Sequence, residues 1–291
     1  MKDYVIVTDS TTDLTYEYAQ ENNLCVLPLC FVDQEGKEYS NTLDHKDMGI
    51  KDFYNRMRKG EVFKTNQVNV QTYQDLFTKI IKEGKDIVVV SFSSGLSGCY
   101  NSACVAKNLV SEEYPDAKIA VIDSLCASLG EGLFVHYLVK AKNEGMTFDE
   151  IVCYGEKLKH QISHWFTVDD IDTLRRGGRL SSTTAFVAKT LNIKPVLYVS
   201  PEGKLVARGK KIGRKTALNA IVDKLVEMYD KEKNDIFFIC HGDCINDVLY
   251  VKERITKLTG INNFLVNEVG PVIGSHAGPG VLAVFFVSDG R

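Results

Sequence analysis

Asp86-Ile87-Val88-Val89-Val90-Ser91-Phe92-Ser93-Ser94-Gly95-Leu96-Ser97-Gly98-Cys99-Tyr100-Asn101-Ser102 reads as a buried strand that runs through a Ser/Gly turn into a helix. The run Ile87–Val90 is apolar at every position, as in a parallel strand covered on both faces. The turn presents hydroxyls and free backbone N–H groups at a helix N-terminus, which suits an anion, whether phosphate or carboxylate. Outward from this junction the pattern repeats. Tyr4–Thr8, Cys25–Leu29 and Lys118–Ile122 are short apolar runs, separated by amphipathic stretches over 15–22, 50–59, 70–83 and 96–110. In the third of these Val70, Tyr73, Leu76, Phe77, Ile80 and Ile81 trace one helical face. The alternation predicts right-handed βαβ units and a parallel sheet with helices on both faces. Phe31–Tyr39, centred on Gln34-Glu35-Gly36-Lys37, reads as a small surface hairpin, an insertion near 27–40.

Helical stretches over 125–143 and 147–161 follow, and then the pattern changes. Strand-like Ser163–Val168, Pro195–Ser200 and Lys204–Ala207 cluster without long helices between them, the last two joined by the turn Pro201-Glu202-Gly203-Lys204. Helix 215–231, strand 236–240, helix 245–258 and strands 263–269 and 281–288 complete the chain. The expected architecture is therefore α/β in two domains. Residues 1–160 form a three-layer domain on a parallel sheet, and residues 161–291 form an α+β domain on a mixed or antiparallel sheet. Ligands in such folds sit at the carboxyl ends of strands or between domains.

Composition narrows the function. A chain of 291 residues with 44% hydrophobic and 25% charged residues can bury a sizeable core. Its net charge of −3 argues against nucleic acid as the main partner. The longest apolar run, Val281–Val287, is too short to span a bilayer, and Met1-Lys2-Asp3-Tyr4 leads straight into Val5-Ile6-Val7, so a cytoplasmic location is expected. The eight cysteines include no Cys-x-x-Cys pair; Cys240-His241-Gly242-Asp243-Cys244 lacks a second ligand pair, and neither disulfides nor a metal is expected.

Several segments can carry chemistry. Thr8-Asp9-Ser10-Thr11-Thr12-Asp13-Leu14 is either a helix cap, with Thr12 or Asp13 at the N-cap, or a polar loop at the sheet's carboxyl edge. Thr65-Asn66-Gln67 reads as a polar cap before the helix at Val70. Ser93, Ser94 and Ser97 offer hydroxyl donors. The pattern Gly95-Leu96-Ser97-Gly98 misses the Gly-x-Ser-x-Gly elbow of a hydrolase by one position, yet a serine hydrolase or acyltransferase using Ser94 or Ser97 with His276 stays as the alternative. Arg175-Arg176-Gly177-Gly178-Arg179 offers guanidinium groups for a carboxylate. Arg208-Gly209-Lys210-Lys211-Ile212-Gly213-Arg214-Lys215 is a solvated basic run or a docking patch for an acidic partner, and no Walker loop for ATP is present. His276 stands in a glycine-spaced loop, Gly270–Gly280, among tight turns; the other five histidines have no such setting.

Five segments, in order along the chain, resemble the DegV family of fatty-acid-binding proteins: Thr-Asp-Ser-Thr-x-Asp-Leu at 8–14, Ser-Ser-Gly-Leu-Ser-Gly-x-Tyr-x-Ser-Ala at 93–103, Gly-Gly-Arg-Leu-Ser at 177–181, Ile-Lys-Pro at 193–195 and Gly-Pro-x-Ile-Gly-x-His-x-Gly-Pro-Gly at 270–280. Near residue 65 the family pattern Thr-Ser-Gln-Pro is here Thr65-Asn66-Gln67-Val68, and Cys99 replaces a threonine. The resemblance implies a two-domain α/β protein with an acyl tunnel and no cofactor beyond the fatty acid. It also implies a non-catalytic role as the lipid-carrying subunit of a bacterial fatty-acid kinase whose separate subunit supplies ATP. Carried over by position, Thr65, Ser94 or Ser97, Arg179 and His276 would surround the carboxylate, and Arg208, Lys210 and Lys211 would face the kinase subunit.

Overall fold

The computed structural model describes residues 3–180 and 192–290. Ser181, the last residue of the Gly-Gly-Arg-Leu-Ser segment, lies outside them. Strand β1 (Tyr4–Asp9) is followed by a one-turn 3-10 segment, helix α1 (Tyr16–Glu21), β2 (Cys25–Leu27), β3 (Leu29–Val32), β4 (Glu38–Asn41), α2 (Ile50–Arg58) and β5 (Lys64–Asn66). Then come α3 (Val70–Lys82), β6 (Asp86–Ser91), α4 (Cys99–Glu113), β7 (Ile119–Asp123), α5 (Leu129–Asn143) and α6 (Phe148–Leu158). The remainder holds β8 (Ile162–Thr167), α7 (Ile171–Arg176), β9 (Ile193–Val199), β10 (Leu205–Ile212), α8 (Arg214–Met228), β11 (Phe237–His241), α9 (Ile245–Thr259), β12 (Phe264–Glu268), α10 (Pro271–Ala277) and β13 (Leu282–Val287).

The first sheet is parallel, in the order β2-β1-β6-β7. Strand alternation sends Ile87 and Val89 to one face, against Tyr73, Phe77 and Ala103, and Val88 and Val90 to the other, against Leu133, Phe134 and Ile151. This is the three-layer arrangement expected. The larger sheet, β10-β9-β8-β13-β11-β12, is mixed: only β11 and β12 run parallel. One of its faces packs on α8 and α9 through Phe237, Ile239, Val284 and Phe286; the other, through Phe238, Ala283, Phe285 and Val287, joins the same core as Val88 and Val90. Helix α5 lies between the two sheets. Its sequence Leu-Gly-Glu-Gly-Leu-Phe-Val is buried all round, as a helix covered on every side must be. One core therefore runs across residue 160, between α6 and β8.

Some local expectations give way to packing. The hairpin is not merely a surface insertion: Phe31 and Tyr39 are buried, their rings stacked at 5.1 Å, and β5 adds a third antiparallel strand, β4-β3-β5. Thr65 and Asn66 are thus strand residues, and the cap of α3 is Asn69, whose side chain accepts from Thr72 N at 2.9 Å. The cap of α1 is Thr15, not Thr12 or Asp13. Helix α5 starts at Leu129 rather than near 125, because Leu125 and Ser128 have φ of 54° and cannot sit in a right-handed helix. The segment around His276 is a helix, with Pro271 at its first position, where a missing N–H costs nothing. Strand β10 extends through the basic run to Ile212 and forms the outer edge of the larger sheet, with a bulge at Arg208.

Candidate functional site

A cavity opens between β5, the Ser/Gly turn, α10 and the inner face of the larger sheet. Its volume is about 150 Å³, far beyond a packing void. Most of its wall is apolar, with Phe92, Leu96, Leu174, Val199, Phe166 and Phe285 prominent. Thr65, Asn66, Gln67, Ser97, Gly98, Arg179 and His276 form the polar end.

Thr65 and His276 meet across 211 positions of sequence: Thr65 Oγ1 lies 2.9 Å from His276 Nε2. The other ring nitrogen, Nδ1, is buried without a partner among the described residues and abuts Gly177, where a Cβ would come within 2.3 Å of it. The close approach explains the glycine. Burial, with the Arg179 charge acting in the same direction, pushes the imidazole down to about 4, so His276 is neutral at neutral pH. Either tautomer can make the bond to Thr65. Only with the proton on Nε2 does histidine donate to Thr65, leaving the threonine hydroxyl proton free for a ligand.

Arg179 reaches the cavity from the turn after α7. Its Nε donates to Leu96 O at 3.2 Å and its Nη1 to Gly177 O at 2.6 Å, so one guanidinium ties the arginine turn to the Ser/Gly turn. Ser97 lines the cavity, its Oγ accepting from Cys99 N at 3.3 Å at the start of α4. Gly98, the next wall residue, admits Gln67, whose Oε1 would lie 2.1 Å from a Cβ there. The N-terminal end of a 15-residue helix thus faces the polar part of the cavity, where its partial positive charge favours an anion.

Ser94 is not part of this group. It is exposed and absent from the wall, its backbone N–H spent on Asp123 Oδ1 at 3.1 Å. Turn geometry decides between the serines: only Ser97 stands at the start of α4. Among the described residues neither serine pairs with His276 and no carboxylate orients that imidazole, whose Nδ1 faces Gly177. The geometry gives no support to a Ser–His hydrolase. Arg208, Lys210 and Lys211 are exposed on the edge strand β10. Charges and a bulge there are also how a sheet edge resists pairing with another chain.

Behind the cavity sits a buried acidic group that the motif at 8–14 supplies. Asp9 accepts from Thr11 N at 2.9 Å, from Thr11 Oγ1 at 2.5 Å and from Phe92 N at 3.2 Å. Glu131 on α5 reaches Thr8 Oγ1 at 3.3 Å and Thr11 Oγ1 at 3.0 Å. Burial, with the Asp9 charge second, raises Glu131 well above the usual carboxylate range. A protonated Glu131 can donate to Thr11 Oγ1, whose own proton then goes to Asp9. Asp13 accepts from Gly270 N at 3.0 Å and from Ser128 Oγ in a short bond. It thereby ties the first N-terminal loop to the start of α10 and to the wall residue Ser128. Sequence reasoning missed Glu131, Ser128 and His164, which is buried and lines the cavity. Glu131 alone left a signal, a lone acid in the apolar first two turns of its helix.

Burial pushes the Asp13 carboxyl up to about 7. A carboxyl raised above its unfolded value stabilises the fold below that unfolded value, and its contribution is lost as pH climbs through the folded value. Asp13→Asn is therefore expected to gain stability relative to the native chain between about pH 4.5 and 7.5, by on the order of 2–4 kcal/mol. Urea midpoints at about pH 5 and 8 check this; parallel pH profiles for the two proteins would contradict it.

The model of the DegV family, described as an uncharacterised protein, matches residues 3–289. The chain belongs to the DegV family. A DegV domain-containing protein of Clostridium perfringens, CPE0026, is 39% identical over 290 residues, 99% of each chain. Among solved structures, a DegV family protein from Thermus thermophilus, described by its fatty acid binding, superposes with a TM-score of 0.86 at 26% identity over 98% of this chain and 99% of its own. A stearic acid-binding protein from Eubacterium ventriosum gives 0.86 at 26% identity, covering 97% and 98%. The α/β architecture expected from the DegV resemblance is the one found. Among the described residues no helix is long and apolar enough to cross a membrane, and no group of three or more His, Cys, Asp or Glu could hold a metal.

Proposed function

We propose that this chain holds one long-chain fatty acid in the cavity, its carboxylate at Thr65 and Ser97 with Arg179 alongside, and its tail between Phe166 and Phe285. The observation that carries this is the Thr65–His276 pair at the polar end of a largely apolar cavity. A carboxylate leaving water loses several kcal/mol unless donors replace the solvent. Charge-assisted hydrogen bonds restore about 1.5–3 kcal/mol each, and each buried methylene adds about 0.8 kcal/mol. His276 acts through Thr65, fixing which way its hydroxyl donates. Titrations of polar anions without a tail, such as sulfate, should show no comparable affinity. Native mass spectrometry of protein purified from cells should show one fatty acid per chain. Preparations that are empty and also fail to take up added palmitate would overturn the reading.

The same reading makes the chain a carrier without catalysis of its own, presenting the acid to a separate ATP-dependent kinase subunit. In that reaction the fatty carboxylate is the nucleophile. Positioning is this chain's contribution, and nucleotide and metal are the partner's. The absence of a Walker loop from the sequence and the exposed basic edge at Arg208, Lys210 and Lys211 support this division. Lys210→Glu combined with Lys211→Glu is expected to weaken association with the kinase subunit at least tenfold while the fatty acid content stays at one per chain. Unchanged association would remove β10 from the docking face.

A further inference from the structure

Three polar side chains interrupt the apolar wall away from Thr65 and His276: Ser128 before α5, His164 on β8 and Cys240 on β11. His164 is committed to the protein. Its Nδ1 lies 3.0 Å from Ile162 O, its Nε2 accepts from Ala127 N at 3.3 Å, and the ring stands edge-on to Phe285 at 5.2 Å. Ser128 and Cys240 differ. Ser128 Oγ lies between the Asp13 carboxyl and Cys240 Sγ, 3.3 Å from the latter. The serine hydroxyl has one proton and two lone pairs, so it keeps acceptor capacity whichever neighbour takes its proton. Burial holds the Cys240 thiol protonated, so it brings a donor of its own. Ser128 also occupies φ 54°, ψ −145°, a backbone conformation that glycine adopts far more readily. Its side chain is kept at a cost.

Resting on the fatty-acid reading above, we propose that Ser128 and Cys240 form a second polar subsite, for a hydroxyl group carried along the acyl chain. Such a hydroxyl donates to Ser128 Oγ and accepts from the Cys240 S–H. A hydroxyl entering an apolar cavity without partners is penalised; here one acceptor and one donor, from different elements of the fold, stand 3.3 Å apart. The subsite makes hydroxylated long-chain fatty acids a second ligand class and selects the position of the hydroxyl.

The test is a displacement titration of delipidated protein with stearic acid and with hydroxystearic acids carrying the hydroxyl at successive carbons. One position, or two adjacent ones, is expected to bind within about threefold of stearate, and the remaining isomers at least tenfold more weakly. Ser128→Ala and, independently, Cys240→Val are expected to lower the ratio of that isomer's affinity to stearate's about tenfold. Cys240→Val leaves the Asp13–Ser128 bond in place, so it reports even where Ser128→Ala unfolds. Equal weakening of every isomer, or a ratio unmoved by either substitution, would overturn the subsite and leave fatty-acid binding standing. Failure of stearate itself to bind would overturn both.

Discussion

Thr65→Val is expected to weaken the binding of a long-chain fatty acid ten- to a hundredfold, whereas Thr65→Ser keeps most of it. Valine matches threonine in shape, so β5 and its pairing with β3 persist; what is lost is one hydroxyl. Among the described residues that hydroxyl is the side-chain partner of His276 Nε2, at 2.9 Å. Its loss removes a charge-assisted bond to the carboxylate, about 1.5–3 kcal/mol, and strands a buried N–H. His276 is neutral because burial and Arg179 hold it down to about 4. Affinity should therefore not rise as pH falls from about 8 to 5.5, as it would for an imidazolium contact. Displacement titrations of both variants across that range check the claim. Unaltered affinity in Thr65→Val would place the carboxylate elsewhere.

Gly130→Ala is expected to destabilise the fold by about 2–3 kcal/mol, although alanine ordinarily favours a helix by about 1 kcal/mol. A Cβ at 130 would lie 2.0 Å from His164 Nε2 and 2.4 Å from its Cδ2. The ring cannot yield, since Ile162 O and Ala127 N hold its two nitrogens and Phe285 stands against it. Nor can α5 recoil, packed between both sheets. Overpacking of this kind costs about 1–3 kcal/mol, and the broken bond to Ala127 adds to it. Gly209→Ala, on the exposed edge of β10 with nothing within 4 Å of its Cβ, is the control and should change stability by less than about 0.5 kcal/mol. Equal urea midpoints for Gly130→Ala and the native chain would mean that the helix is not confined as described.

What the chain declares locally is legible in its residues, and what distant segments impose on one another is not. The β6–α4 junction reads correctly because Ile87–Val90 is apolar on both faces and Ser97-Gly98 ends the turn. Strand β5 escapes, because Lys64-Thr65-Asn66 has no apolar pattern and becomes a strand only by pairing with β3. Helix α10 looks like a loop because Gly274 suggests a turn. In fact Phe53 and the Tyr54 hydroxyl would each lie 2.8 Å from a Cβ there, so packing demands the glycine. At the site, Thr65, Ser97, Arg179 and His276 carry their family pattern and all four line one cavity. Ser94 carries the same pattern and is excluded by turn geometry alone. Ser128 and His164 give no local sign, since their roles depend on Asp13 and Ala127, brought near by the fold.

The decisive experiment is a crystal structure of the chain with bound palmitate. One acid is expected in the cavity, with a carboxylate oxygen within hydrogen-bond distance of Thr65 Oγ1 and the tail lying between Phe166 and Phe285. Palmitate bound anywhere else, or with its carboxylate turned away from Thr65 and toward solvent, would contradict it.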